Sequence, residues 1–93
     1  MGRRRFRRTR RRDANYTYVK AYLSAIKEQS GCIRCGERNA VCLDYHHTDP
    51  TQKVFHLGNV KGRSLKEIDE EINKCVVICA NCHRKLHAGL FSL

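Results

Sequence analysis

No tryptophan and a single proline occur in these 93 residues, and no apolar run approaches the roughly 20 residues that span a bilayer. A transmembrane segment is therefore not expected. The basic N-terminus is not followed by an apolar stretch of roughly 7 to 15 residues, so a secretory leader is not expected either. The chain reads as cytoplasmic, in a reducing compartment. A domain this short buries too little apolar surface to leave much stability after ordering itself. In compensation it carries six cysteines and five histidines, the profile of a core stapled by metal or by disulfides.

Acidic residues are also scarce, and the imbalance is local. The formal net charge is +10, but residues 1–12 contain eight arginines and no acid, leaving eleven Lys/Arg against nine Asp/Glu in the remainder. Arg3, Arg4, Arg5, Arg7, Arg8, Arg10, Arg11 and Arg12 repel one another and bury nothing, so residues 1–12 are expected to form a disordered tail preceding a folded domain over 13–93. Such a run binds phosphates without reading sequence, with Phe6 available to stack on a base; the alternative is a solubilising or targeting arm.

Tyr18, Val19, Tyr22, Leu23 and Ile26 recur at three- and four-residue steps, which predicts an amphipathic helix from Asp13 to Gln29. Its Tyr/Leu stripe would face the core, with Lys20, Lys27 and Glu28 on the opposite face. Asp13 or Asn15 would cap its start, and Ser30-Gly31 would end it. Val41, Leu43 and Tyr45 alternate with Cys42, Asp44 and His46, the pattern of a short strand ending on His46-His47 and broken by Thr48-Asp49-Pro50. Residues 51–63 show no clear period and read as an ordered loop, with room for a short strand at Val54 to Leu57. Ser64-Leu65-Lys66-Glu67 has the form of a capping box opening a helix from Leu65 to about Asn73. Cys75 to Ile78 reads as a buried strand, and Asn81 to Leu90 as a final helix.

Cys32-x-x-Cys35 and Cys79-x-x-Cys82 are two knuckles whose sulfurs can meet one tetrahedral ion at about 2.3 Å. Four thiolates leave no position for water or substrate, so a zinc ion there would be structural. A disulfide framework is the competing reading, and the missing secretion signal counts against it. Cys42 and Cys75 fall in expected strands and read as small buried side chains, although spacing alone leaves Cys75 open as a substitute for Cys79. The second constellation is histidine. His83 and His87, four apart, share one helix face where two imidazoles can hold an ion, and Cys82 immediately before them would aim that helix. His46 and His47 close the expected strand.

Taken together, Cys32-x-x-Cys35, Leu43-Asp44-Tyr45-His46-His47-Thr48-Asp49-Pro50 and Cys79-Ala80-Asn81-Cys82-His83-Arg84-Lys85-Leu86-His87 resemble the HNH endonuclease family across about residues 30 to 90. The resemblance implies an α+β fold with a small ββα-metal (His-Me finger) core, here with a four-cysteine zinc knuckle and an N-terminal helix. It implies a DNA endonuclease with His47 as general base and His46, His83 and, in a histidine-rich branch, His87 as ligands of a catalytic ion. The family's middle asparagine, which positions the base, falls on Lys74, so Asn73, a backbone carbonyl or another side chain would have to take that role. Three imidazoles favour Zn, Ni or Mn, and the resemblance adds Mg. Lys53, Arg84 and Lys85 are candidates for flanking phosphates. Similar free-standing chains occur in phages, which adds phage packaging proteins to the implied partners and a bacterial host to the implied setting, with the chain a monomer or weak dimer. Two alternatives carry their own signatures: a non-catalytic zinc-supported nucleic-acid-binding module, which binds without cutting, and a secreted disulfide-rich cationic peptide, which is lost to reductants.

Overall fold

A computed structural model of the chain describes the backbone of residues 2–93 and the side chains of residues 16–93. The described backbone is helical from Gly2, so residues 2–12, expected as a disordered tail, continue α1, and residues 13 and 15 lie within it instead of capping its start; the phosphate contacts expected of the tail's arginines lie outside the described side chains. The described residues form a small α+β fold. Helix α1 (Gly2–Ser30) is followed by strand β1 (Leu43–His47), helix α2 (Leu65–Ile72), strand β2 (Cys75–Cys79) and helix α3 (Ala80–His87). The two strands make one antiparallel sheet, in register from Leu43 opposite Cys79 to His47 opposite Cys75. No described helix is long and apolar enough to cross a membrane.

The end of α1 follows its sequence signal. Gly31 adopts φ +67°, a left-handed conformation that glycine enters without a Cβ penalty, and its N–H returns to the Lys27 carbonyl at 2.7 Å. The Arg38 guanidinium donates to the carbonyls of Glu28 and Gln29 at 3.0 and 3.2 Å, satisfying groups that helix geometry leaves unpaired. The buried face is largely the one expected, with Tyr22 and Ile26 also partly buried and Lys20 and Glu28 exposed. Leu23 is buried and Val19 packs beside it, but Tyr18 is 60% exposed, while Lys27 is half-buried with its ammonium 5.2 Å from the centre of the Tyr45 ring. Lys20, Leu23, Ser24 and Lys27 follow one another at helical spacing and border one cleft, so the two lysines flank the buried line instead of opposing it.

Strand β1 starts at Leu43, two residues later than the alternation suggested. The Asn39 side chain accepts the Val41 N–H at 3.2 Å and caps a 3-10 turn over Ala40–Cys42. A local side-chain bond thus competes with the ladder, leaving Val41 88% exposed and Cys42 only half-buried. Helix α2 carries the expected capping box: Ser64 accepts from the Glu67 N–H and Glu67 reaches back to the Ser64 N–H. No strand forms at 54–57; Leu57 and Val60 instead fold back from the loop onto Ile68 and Leu23. A second apolar cluster joins Leu43, Val77 and Ile78 to the cysteines, with Leu86 and Phe91 against it. Tyr45 touches both clusters and donates its hydroxyl to the Leu23 carbonyl at 2.7 Å, tying β1 to α1.

Candidate functional site

The cysteine knuckles converge as their spacing required. The sulfurs of Cys32, Cys35, Cys79 and Cys82 all lie within 4.8 Å of one another. The Arg34 and Cys35 amides point at Cys32 Sγ at 3.4 and 3.5 Å, and the Cys82 amide points at Cys79 Sγ at 3.4 Å. That last contact makes Cys79 the N-cap of α3, so one sulfur both starts the helix and belongs to the cluster. Burial opposes charge on Cys32, yet the converging amides bring its thiol below the usual range, whereas burial and the adjacent sulfurs push Cys82 up. Four thiolates this close repel one another unless a cation sits among them. The donor set fits a structural metal such as zinc, and no disulfide links any of the six cysteines. Cys75 is not part of the cluster; its Sγ lies 3.4 Å from the Glu71 carbonyl.

The histidines separate into two groups, because consecutive residues of a strand face opposite sides. His46 joins His83 and His87 from α3, with ligand nitrogens within 4.8 Å of one another and His46 Nδ1 3.2 Å from His83 Nε2. Burial, followed by the neighbouring imidazoles, lowers the His46 pKa, which favours the neutral ring with a free lone pair. Asp44 lies two residues before His46, on the same strand face, and its Oδ2 is 3.2 Å from His83 Nδ1. A carboxylate only accepts, so the His83 proton sits on Nδ1 and the Nε2 lone pair is directed at the trio. Such an outer partner fixes ring orientation and raises the basicity of a metal ligand.

His47 turns the other way. Its Nε2 lies 2.7 Å from Oε2 of Glu71, a carboxylate 1% exposed on the inner face of α2. Glu71 also takes the Val54 N–H at 3.0 Å and the Lys74 ammonium at 2.9 Å, and Lys74 in turn donates to the Gln52 carbonyl at 3.0 Å. Burial pushes the Glu71 carboxyl up, but the bonds from Lys74, Val54 and His47 outweigh it and hold the pKa at about 2, against an ordinary 4.5. With Glu71 ionised, His47 donates from Nε2, and its Nδ1 has no hydrogen-bond partner among the described residues. Asn73, expected as one substitute for the missing asparagine, is instead the exposed C-cap of α2. Lys74 does not touch His47; it anchors the residue that does.

Glu71 was not among the residues singled out by sequence, although Ile68, Glu71 and Ile72 share a helical stripe and a carboxylate within such a stripe is a legible signal. Asp44 was legible from strand alternation with His46. Lys53, Arg84 and Lys85 are all exposed. Because the folded pKa of Glu71 is depressed, its stabilising contribution is complete above 4.5 and disappears as pH falls toward 2. Glu71→Gln is therefore expected to cost about 1–3 kcal/mol at neutral pH. The gap in unfolding free energy from wild type should narrow through that acid window, since acid release of any metal affects both proteins. A constant gap down to pH 2 would contradict the assignment.

Compared with family models, curated proteins and solved structures, the chain has no match.

Proposed function

We propose that this chain is a metal-dependent DNA endonuclease with an HNH-type ββα-metal core, formed by β1, β2 and α3. The observation that carries this reading lies in two consecutive strand residues, a histidine oriented by a buried carboxylate and a histidine belonging to a three-imidazole cradle. A phosphodiester resists hydrolysis because its charge repels nucleophiles and its leaving alkoxide is poor. His46, His83 and His87 would hold the catalytic ion, with Mg, Mn, Ni or Zn as candidates, and Asp44 would steady His83. Such an ion supplies positive charge to the phosphate oxygens as negative charge develops.

The rest is work for the protein's own groups. His47 Nδ1 takes a proton from water, whose oxygen then bonds to phosphorus as one ester P–O bond breaks and the departing alkoxide takes a proton from solvent. Nε2–H of His47 stays on Glu71, whose carboxylate stabilises the imidazolium that forms, while Lys74 keeps that carboxylate in place. Cys79 and Cys82 would hold the structural metal at the start of α3 and so fix the aim of His83 and His87. An inert nucleic-acid-binding module would be favoured by Lys74 at the asparagine position, but Glu71 supplies the partner that position lacks.

Metal counting combined with cleavage tests the cradle. Wild-type protein should bind a second divalent ion beyond the cysteine-held one and nick supercoiled plasmid. His83→Ala should keep the first ion, lose the second and lose at least about 100-fold in nicking, the scale on which one well-placed catalytic interaction acts. Equal ion content and equal nicking in both proteins would reject the cradle.

A further inference from the structure

We propose that the cleft between α1 and the 56–58 turn seats a phosphodiester group of the DNA strand, gripped by Lys20 and Lys27 with His56 on the facing wall. The inference rests on the nuclease reading for the identity of the strand, and on the cleft's own chemistry for the site. The cleft is bordered by His83 and Asp44 at the cradle and by the Lys20–Lys27 stripe of α1, so a strand lying in it runs past the histidine trio.

Each ammonium lies over a tyrosine ring, Lys20 over Tyr16 at 5.6 Å and Lys27 over Tyr45 at 5.2 Å, contacts that leave its charge unneutralised. Neither lysine forms an ion pair within 4.0 Å among the described residues. Lys27 is half-buried, and burial lowers its pKa, with Asp44 partly restoring it and Lys20 adding repulsion. Holding two like charges at one cleft, one of them partly desolvated, is unfavourable until an anion sits between them. Among the described residues the one carboxylate bordering the cleft, Asp44, directs Oδ2 to His83. On the far wall, His56 Nδ1 accepts the Gly58 N–H at 2.8 Å, which leaves Nε2–H as a donor. A Cβ at Gly58 would fall 2.8 Å from His56 Nδ1, so any side chain there would displace the ring. Phosphate contacts of this kind position a strand without reading bases, and they leave a signature in salt dependence.

The test is binding of a short fluorescent duplex DNA by the zinc-loaded 93-residue chain without added catalytic ion, across a salt series. Lys27→Met, which retains the apolar stem, and Lys20→Met should each weaken binding uniformly across sequences and flatten the slope of log affinity against log salt by about 0.9. Lys27→Arg should restore the slope. Wild-type slopes and affinities in both methionine variants would overturn the proposal. Should Lys27→Met fail to fold, the exposed Lys20→Met decides alone. The outcome separates from the nuclease reading: intact plasmid with flattened slopes leaves the cleft standing without catalysis, and cut plasmid with unchanged slopes removes the cleft alone.

Discussion

A chain carrying Cys79→Ser is expected to lose its cooperative thermal transition and its tightly held zinc, and wild-type protein treated with a strong zinc chelator should behave the same way. Apparent binding free energies of structural zinc in small domains run to about 10–16 kcal/mol, while whole domains are stable by only about 5–15 kcal/mol. Loss of the ion therefore removes an amount comparable to the entire stability. The position matters as well as the ligand count. Cys79 closes the cluster, caps α3 and ends β2 against Leu43, so its sulfur links the helix, the sheet and the Cys32 knuckle. Circular dichroism with metal analysis checks this. A Cys79→Ser protein that melts at the wild-type temperature would refute a structural role for the cluster.

His47→Ala should lower plasmid nicking by about two to four orders of magnitude, the contribution typical of a positioned general base. The fold should survive, because Glu71 keeps its bonds from Lys74 and Val54 when the imidazole is removed. A modest fall in melting temperature is expected from the lost charge-assisted bond, with zinc content unchanged. Glu71→Gln retains the histidine but alters what fixes its tautomer, so a smaller loss of rate is expected there. Wild-type nicking by His47→Ala would assign the chemistry elsewhere.

Much of this architecture was legible from spacing. The Cys32/Cys35 and Cys79/Cys82 knuckles, the Ser64–Glu67 capping box and the His83/His87 face all come from short, rigid repeats in which geometry leaves little choice. What escaped was decided by contacts distant in sequence. Lys27 reads as part of a solvated face until Tyr45, eighteen residues on, brings its ring beneath the ammonium, while Lys20 stays exposed. Val41 fitted strand alternation, but the Asn39 side chain claimed its N–H first. Glu71 was masked by its identity: a carboxylate on an amphipathic helix reads as outward-facing until a histidine, a lysine and a backbone amide from three segments satisfy it. Of the three partners open to His47, namely Asn73, a backbone carbonyl or another side chain, the structure gives the last, with Glu71 half a turn before Asn73 on the inner face.

The most direct measurement compares wild-type and His47→Ala proteins of equal zinc content and equal DNA affinity. Each is incubated with supercoiled plasmid at low salt and with Mg, Mn, Ni or Zn restored separately after chelation. Ion-dependent conversion to nicked or linear DNA by wild type, and none above background by His47→Ala, is the predicted result. DNA binding by both without cleavage under any ion would contradict the nuclease assignment and leave a zinc-supported binding module.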